Sequence, residues 1–72
     1  MLEYREWVKK WLPEEIRELR RTIGLTQVAF AAEFGISDQY VYLLEAGRRR
    51  PGRPLQKLFD VKERELTEVD DG

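Results

Sequence analysis

This 72-residue sequence predicts an all-α fold, a compact bundle of about five helices, and three observations lead there. Apolar residues recur at steps of three and four along most of the chain, the spacing that gathers them on one face of a helix. Glycines and a proline fall where each such stretch breaks off or begins. No stretch shows the strict alternation of a half-buried strand, and there is no internal repeat.

Taken in order, residues 2–12 place Tyr4, Val8 and Leu12, and likewise Trp7 and Trp11, four apart, which predicts an amphipathic first helix. Pro13 disfavours helical geometry at Leu12 but suits the first turn of a second helix, where Glu14 and Glu15 meet the positive end of the helix dipole. Ile16, Leu19 and Ile23 form the apolar stripe of that helix, Arg17, Arg20 and Arg21 form its polar side, and Gly24 stops it. Thr26 is placed to cap a short helix from Gln27 to Phe34 in which Phe30, Ala31 and Phe34 recur at helical spacing. Gly35, Ile36 and Ser37 then make a three-residue turn, with Ser37 capping a helix from Asp38 to about Ala46 that Gly47 closes. Two short helices joined this way have the geometry of a helix-turn-helix. After the loop Arg48-Arg49-Arg50-Pro51-Gly52, a last helix is marked by Leu55, Leu58, Phe59 and Leu66, and residues 67–72 read as an acidic flexible tail. The expected organisation is thus an N-terminal helix over 1–12, a helix-turn-helix domain over 13–66 and the tail.

Composition narrows the chemistry. The chain has no cysteine and no histidine, which removes disulfides, thiol chemistry, most transition-metal sites and the usual general bases. We therefore expect a protein that is not an enzyme and holds no metal or cofactor. No apolar run approaches the roughly 20 residues that cross a bilayer, so the expectation is a soluble cytoplasmic protein with no membrane partner. The net charge of −1 hides a sharp asymmetry. Residues 47–59 carry Arg48, Arg49, Arg50, Arg53 and Lys57 and no acid, a local charge of +5, whereas residues 60–72 carry −4. A local positive field of that size attracts a polyanion whatever the sign of the total.

Several motif elements coincide in one stretch: Leu19-Arg20, Gly24-Leu25-Thr26-Gln27, Phe30-Ala31, Phe34-Gly35-Ile36-Ser37, Val41, and Glu45-Ala46-Gly47 followed by a basic loop with proline. From Ile16 to Phe59, about 60% of the chain, this resembles the Cro and phage-repressor type of helix-turn-helix, the XRE family, with its lambda-repressor-like bundle. A helical bundle without DNA binding would explain the apolar positions but not their combination with these polar ones. The resemblance implies a sequence-specific regulator, a repressor or autoregulator, that inserts helix 38–46 into the major groove of double-stranded DNA and acts as a homodimer on two half-sites.

The same resemblance implies roles for individual residues. Arg20 and Glu45 would form a structural ion pair, and Gln27 would meet a phosphate at the start of its helix. Asp38, Gln39, Tyr40 and Leu43 would face bases. Gln39 is the strongest base reader, because its amide donates and accepts at once and matches adenine N6 and N7. Leu43 suits a thymine methyl group. Asp38 is open to three readings: it accepts from a cytosine amino group, supports the helix dipole, or repels phosphate. Ser37 and Tyr42, with Arg48, Arg49, Arg50 and Arg53, would contact the sugar-phosphate backbone.

Other features point to a second class of partner. Val28, Ala29 and Ala32 stand where the family is commonly polar, and with Tyr40, Tyr42 and Leu43 they outline an apolar surface. The Pro-Glu-Glu-Ile-Arg-Glu-Leu-Arg and Gly-Arg-Arg-Arg-Pro-Gly-Arg-Pro-Leu runs are similar, more loosely, to the DNA-binding half of antitoxins of the HigA and MqsA kind, though their zinc-binding half has no counterpart here. The alternative expectation is a protein-binding adaptor or antitoxin that holds a toxin or other protein partner through that surface. Trp7 and Trp11 suit core packing or, alternatively, a dimer interface.

Overall fold

The computed structural model describes residues 11–67, and among these it holds four helices and no strand: α1 (Pro13–Ile23), α2 (Gln27–Phe34), α3 (Asp38–Glu45) and α4 (Arg53–Thr67). Each helix of the first three starts and stops on local chemistry. Pro13 opens α1, and the Leu12 N–H donates to Glu15 Oε1 at 3.0 Å. Thr26 caps α2 by accepting from the Ala29 N–H at 3.1 Å, and Ser37 caps α3 by accepting from the Tyr40 N–H at 3.0 Å. Each such cap is worth about 1 kcal/mol relative to alanine.

The turn between α2 and α3 depends on Gly35, which sits at φ 70°, a conformation open to glycine but strained for other residues. It lets the Ile36 N–H return to Ala31 O at 3.0 Å while the Gly35 N–H bonds Ala32 O, the Schellman arrangement that satisfies the last carbonyls of the helix. Ile36 is thereby folded against the core.

Trp11, Ile16, Leu19, Phe30, Ala31, Val41, Leu44, Leu55 and Phe59 form one buried core. Its centre is aromatic: Phe30, Phe34 and Phe59 lie with ring centroids 4.8 to 5.8 Å apart. Burial of side chains this large contributes roughly 1.5–3 kcal/mol apiece, the main favourable term for so small a domain. Ala31, 3% exposed, is a small residue enclosed in the core beside Phe30. Lys62 of α4 adds an ion pair to Glu33 of α2 at 3.2 Å.

Three expectations change. The helix expected over 2–12 lies outside the described residues except for its last two, and those are not helical: Trp11 has φ 53° and Leu12 is extended. A left-handed tryptophan is costly, and burial offsets the cost, for the ring is 2% exposed, meets Phe59 edge-on at 5.1 Å and donates from Nε1 to Asp60 Oδ1 at 2.8 Å. Leu58, expected on the buried stripe, is 49% exposed, because it is turned about 100° from Phe59 around α4. Thr67 is the last residue of α4 rather than the first of a tail, its hydroxyl donating to Arg64 O at 3.0 Å. Trp7 and residues 68–72 lie outside the described residues.

Candidate nucleic-acid interface

α3 carries the candidate site because only one of its faces is used by the core. Val41, Leu44 and Glu45 are buried, whereas Ser37, Asp38, Gln39 and Tyr42 are exposed and Leu43 is half-buried. Gln39 and Leu43, four residues apart, share the face turned away from Val41 and Leu44. Asp38 opens the helix, where its negative charge complements the dipole. Ser37 is already engaged as the cap. Tyr40 is placed differently from its neighbours: it is half-buried against the core, and its hydroxyl donates to the carbonyl of Arg50 at 3.5 Å.

Glu45, 5% exposed, ends the buried face and acts as a hub. Arg20 grips it with two bonds, Nε to Oε2 at 2.7 Å and Nη2 to Oε1 at 3.0 Å, and also donates to Leu25 O at 3.1 Å. Arg17 lies 3.7 Å from Oε1 and donates to the Glu45 carbonyl at 3.0 Å. Gln27 Nε2 donates to Oε1 at 3.1 Å. Burial alone would push the Glu45 carboxyl up, but the bonds from Arg20 and Gln27 and the charges of Arg20 and Arg17 outweigh it and hold the group below the ordinary carboxylate range. Three elements, α1, the start of α2 and the end of α3, are thus fixed to one another by a single carboxylate.

Sequence reasoning missed two arms of this hub. Arg17 and Arg20 are three apart on α1 and so face the same partner, a spacing that was there to be read. The Gln27 bond had no comparable signal, because it depends on how α2 crosses α3. It also constrains the amide: one proton of its NH₂ goes to Glu45, and the second is the one left for another acceptor.

Beyond α3, Gly47 at φ 78° starts the basic loop, and the N–H of Arg48 returns to Leu43 O at 2.9 Å. Arg48, Arg49, Arg50 and Arg53 are all exposed. The exposed start of α3 and this loop stand at opposite ends of a helix of eight residues, about 12 Å long. The first turn offers the Gln39 amide, the last turn the apolar Leu43 one turn further along the same face, and the loop beyond a cluster of guanidinium groups. Residues 16–54 match the family described as Helix-turn-helix.

The chain belongs to the helix-turn-helix family, of the Cro and phage-repressor type. Its four described helices are the lambda-repressor-like arrangement, with α2 and α3 as the helix-turn-helix pair and α1 and α4 completing the bundle. Helix-turn-helix architecture supports a DNA-binding, regulatory role. No curated protein and no solved structure matches the chain. Among the described residues no helix is long and apolar enough to cross a membrane, and no group of three or more histidine, cysteine, aspartate or glutamate side chains is placed to hold a metal ion.

Proposed function

We propose that this helix-turn-helix protein is a sequence-specific regulator, a repressor or autoregulator, that lays α3 in the major groove of double-stranded DNA. The observation that carries this is the division of α3: one face locked into the core through Val41, Leu44 and Glu45, the other presenting Gln39 and Leu43, with three exposed arginines in the loop after it and a fourth, Arg53, opening α4. In this reading Gln39 bonds an adenine, Leu43 meets a thymine methyl and Asp38 accepts from a cytosine amino group. Arg48, Arg49, Arg50 and Arg53 neutralise phosphates, Tyr42 adds a hydroxyl contact, and the N-termini of α2 and α3 approach the backbone through Gln27 and Ser37. A homodimer in the cytoplasm that reads two half-sites one helical turn apart is part of the same proposal.

The test is Gln39→Ala assayed on duplexes from the region upstream of the protein's own coding sequence, each with one base pair replaced. The reading expects preference to relax at one base pair, by the roughly 1–3 kcal/mol of a bidentate contact, with the rest of the profile unchanged. A profile identical to wild type would remove Gln39 as a reader.

One observation favours a second reading. Val28 on α2 and Tyr42 on α3 are large hydrophobic side chains left 63% and 56% exposed on the two helices of the helix-turn-helix pair. An adaptor or antitoxin would seat a protein partner there, and such binding would change little with salt, whereas DNA binding through the arginines weakens steeply.

A further inference from the structure

The connection from Gly47 to Gly52 is held along its whole length. At its start the N–H groups of Gly47, Arg48 and Arg49 return to the end of α3, bonding Leu44 O at 3.2 Å and Leu43 O at 2.9 and 3.3 Å. At its end Pro51 is buried, and its carbonyl accepts from Gln56 Nε2 at 2.9 Å. The backbone N–H of Gln56 bonds Gly52 O at 2.9 Å, so one residue of α4 fixes two successive carbonyls of the loop. Between them, Arg50 O is reached by the Tyr40 hydroxyl at 3.5 Å, a longer and weaker bond.

We infer that Gln56, assisted by Tyr40, is a positioning residue that fixes the arginine loop in its phosphate-binding shape before any DNA arrives. The inference rests on the DNA-binding reading above. Three consecutive exposed guanidinium groups repel one another, and residues 47–59 include no acid to restrain them. A chain that had to be ordered on contact would lose affinity to the entropy of ordering, and a loop ordered in advance avoids that loss. Pro51 is buried, so its carbonyl needs a donor from the protein, and the Gln56 amide supplies one without adding a charge beside the arginines. Tyr40 then acts on every DNA sequence alike, through the loop, and not on one base.

The test uses the full chain with Gln56→Met, which keeps the length of the side chain and removes the donor, and separately Tyr40→Phe. Two quantities are read: amide exchange at Arg48, Arg49 and position 56, whose N–H groups bond Leu43 O and Gly52 O, in the free protein by NMR, and affinity for a random duplex and for the upstream duplex across a salt series. Protection at Phe30 and Leu44 reports that the core is intact. Gln56→Met is expected to speed loop exchange and weaken both duplexes by the same factor, about two- to tenfold, with an unchanged salt slope because no charge is lost. Tyr40→Phe is expected to do the same to a smaller extent. Unchanged loop exchange in both variants overturns the inference, and so does a loosened loop with unchanged affinity. A wild-type protein that binds no duplex, while Gln56→Met still loosens the loop, overturns the DNA-binding reading and leaves Gln56 a purely structural latch.

Discussion

Arg20 of α1 and Glu45, the last residue of α3, face each other through two bonds, with Nε 2.7 Å from Oε2. The Glu45 side chain is nearly removed from water, and the Arg20 side chain is 18% exposed. A pair of this geometry contributes less by attraction than its members would cost if separated, since either alone would be a buried charge without its counterpart. Glu45→Ala is therefore expected to destabilise the fold by on the order of 3 kcal/mol in denaturant unfolding. Arg17→Ala, which removes a contact at 3.7 Å from a side chain 40% exposed, is expected to cost under about 1 kcal/mol. Equal losses would mean that the hub does not rank its partners by burial.

The Glu45 carboxyl also sets an acid limit. Its folded value lies below its unfolded value of about 4.3, so it contributes stability above that pH and loses it as the pH falls through the folded value. Thermal unfolding of wild type is expected to drop below about pH 4.3 by more than that of Glu45→Gln, which is less stable at neutral pH but lacks this titration. Parallel pH profiles would contradict the assignment.

Gly35 at φ 70° has open space where a Cβ would be, so substitution there isolates the backbone cost. Gly35→Ala is expected to cost about 1 kcal/mol and Gly35→Asn less, since asparagine tolerates the left-handed region. A larger loss for asparagine in chemical denaturation would point to a steric cause that the open space does not provide.

Trp11 combines burial with the bond from its Nε1 to Asp60, and the two separate by mutation. Trp11→Ala is expected to cost about 3–5 kcal/mol, enough to leave much of the chain unfolded. Asp60→Asn keeps an oxygen acceptor for Nε1 and is expected to cost under about 1 kcal/mol. Denaturant unfolding of both variants, followed by far-ultraviolet circular dichroism, checks both.

How legible all this was in the sequence depends on how local each cause is. The caps Thr26 and Ser37, the stops at Gly24, Gly35 and Gly47, and the buried positions of α1, α2 and α3 follow from neighbours a few residues away, and these boundaries were readable to within a residue. The end of α4 was also readable to within a residue, but the exposure of Leu58 was not, because the rotation of that helix is set by Phe59 packing on Phe30 and Phe34. Trp11 misled for a similar reason: its spacing from Trp7 suits a helix, while its conformation answers to Pro13 two residues on and to Phe59 and Asp60 far along the chain. At the candidate site, the exposed face of α3 and the run of arginines were visible as pattern. The Gln27 and Arg17 arms of the Glu45 hub, and the hold of Gln56 on Pro51, exist only once the helices are packed.

Contact between the arginine loop and DNA phosphate is read from the salt dependence of binding to the upstream duplex for wild type beside the quadruple alanine variant of Arg48, Arg49, Arg50 and Arg53. Each phosphate contact contributes about 0.9 to the slope of log affinity against log salt, so the account predicts a slope shallower in the variant by about 3 to 4, with much weaker binding at low salt. Equal slopes in the two proteins, or no binding by wild type at any salt, would contradict it.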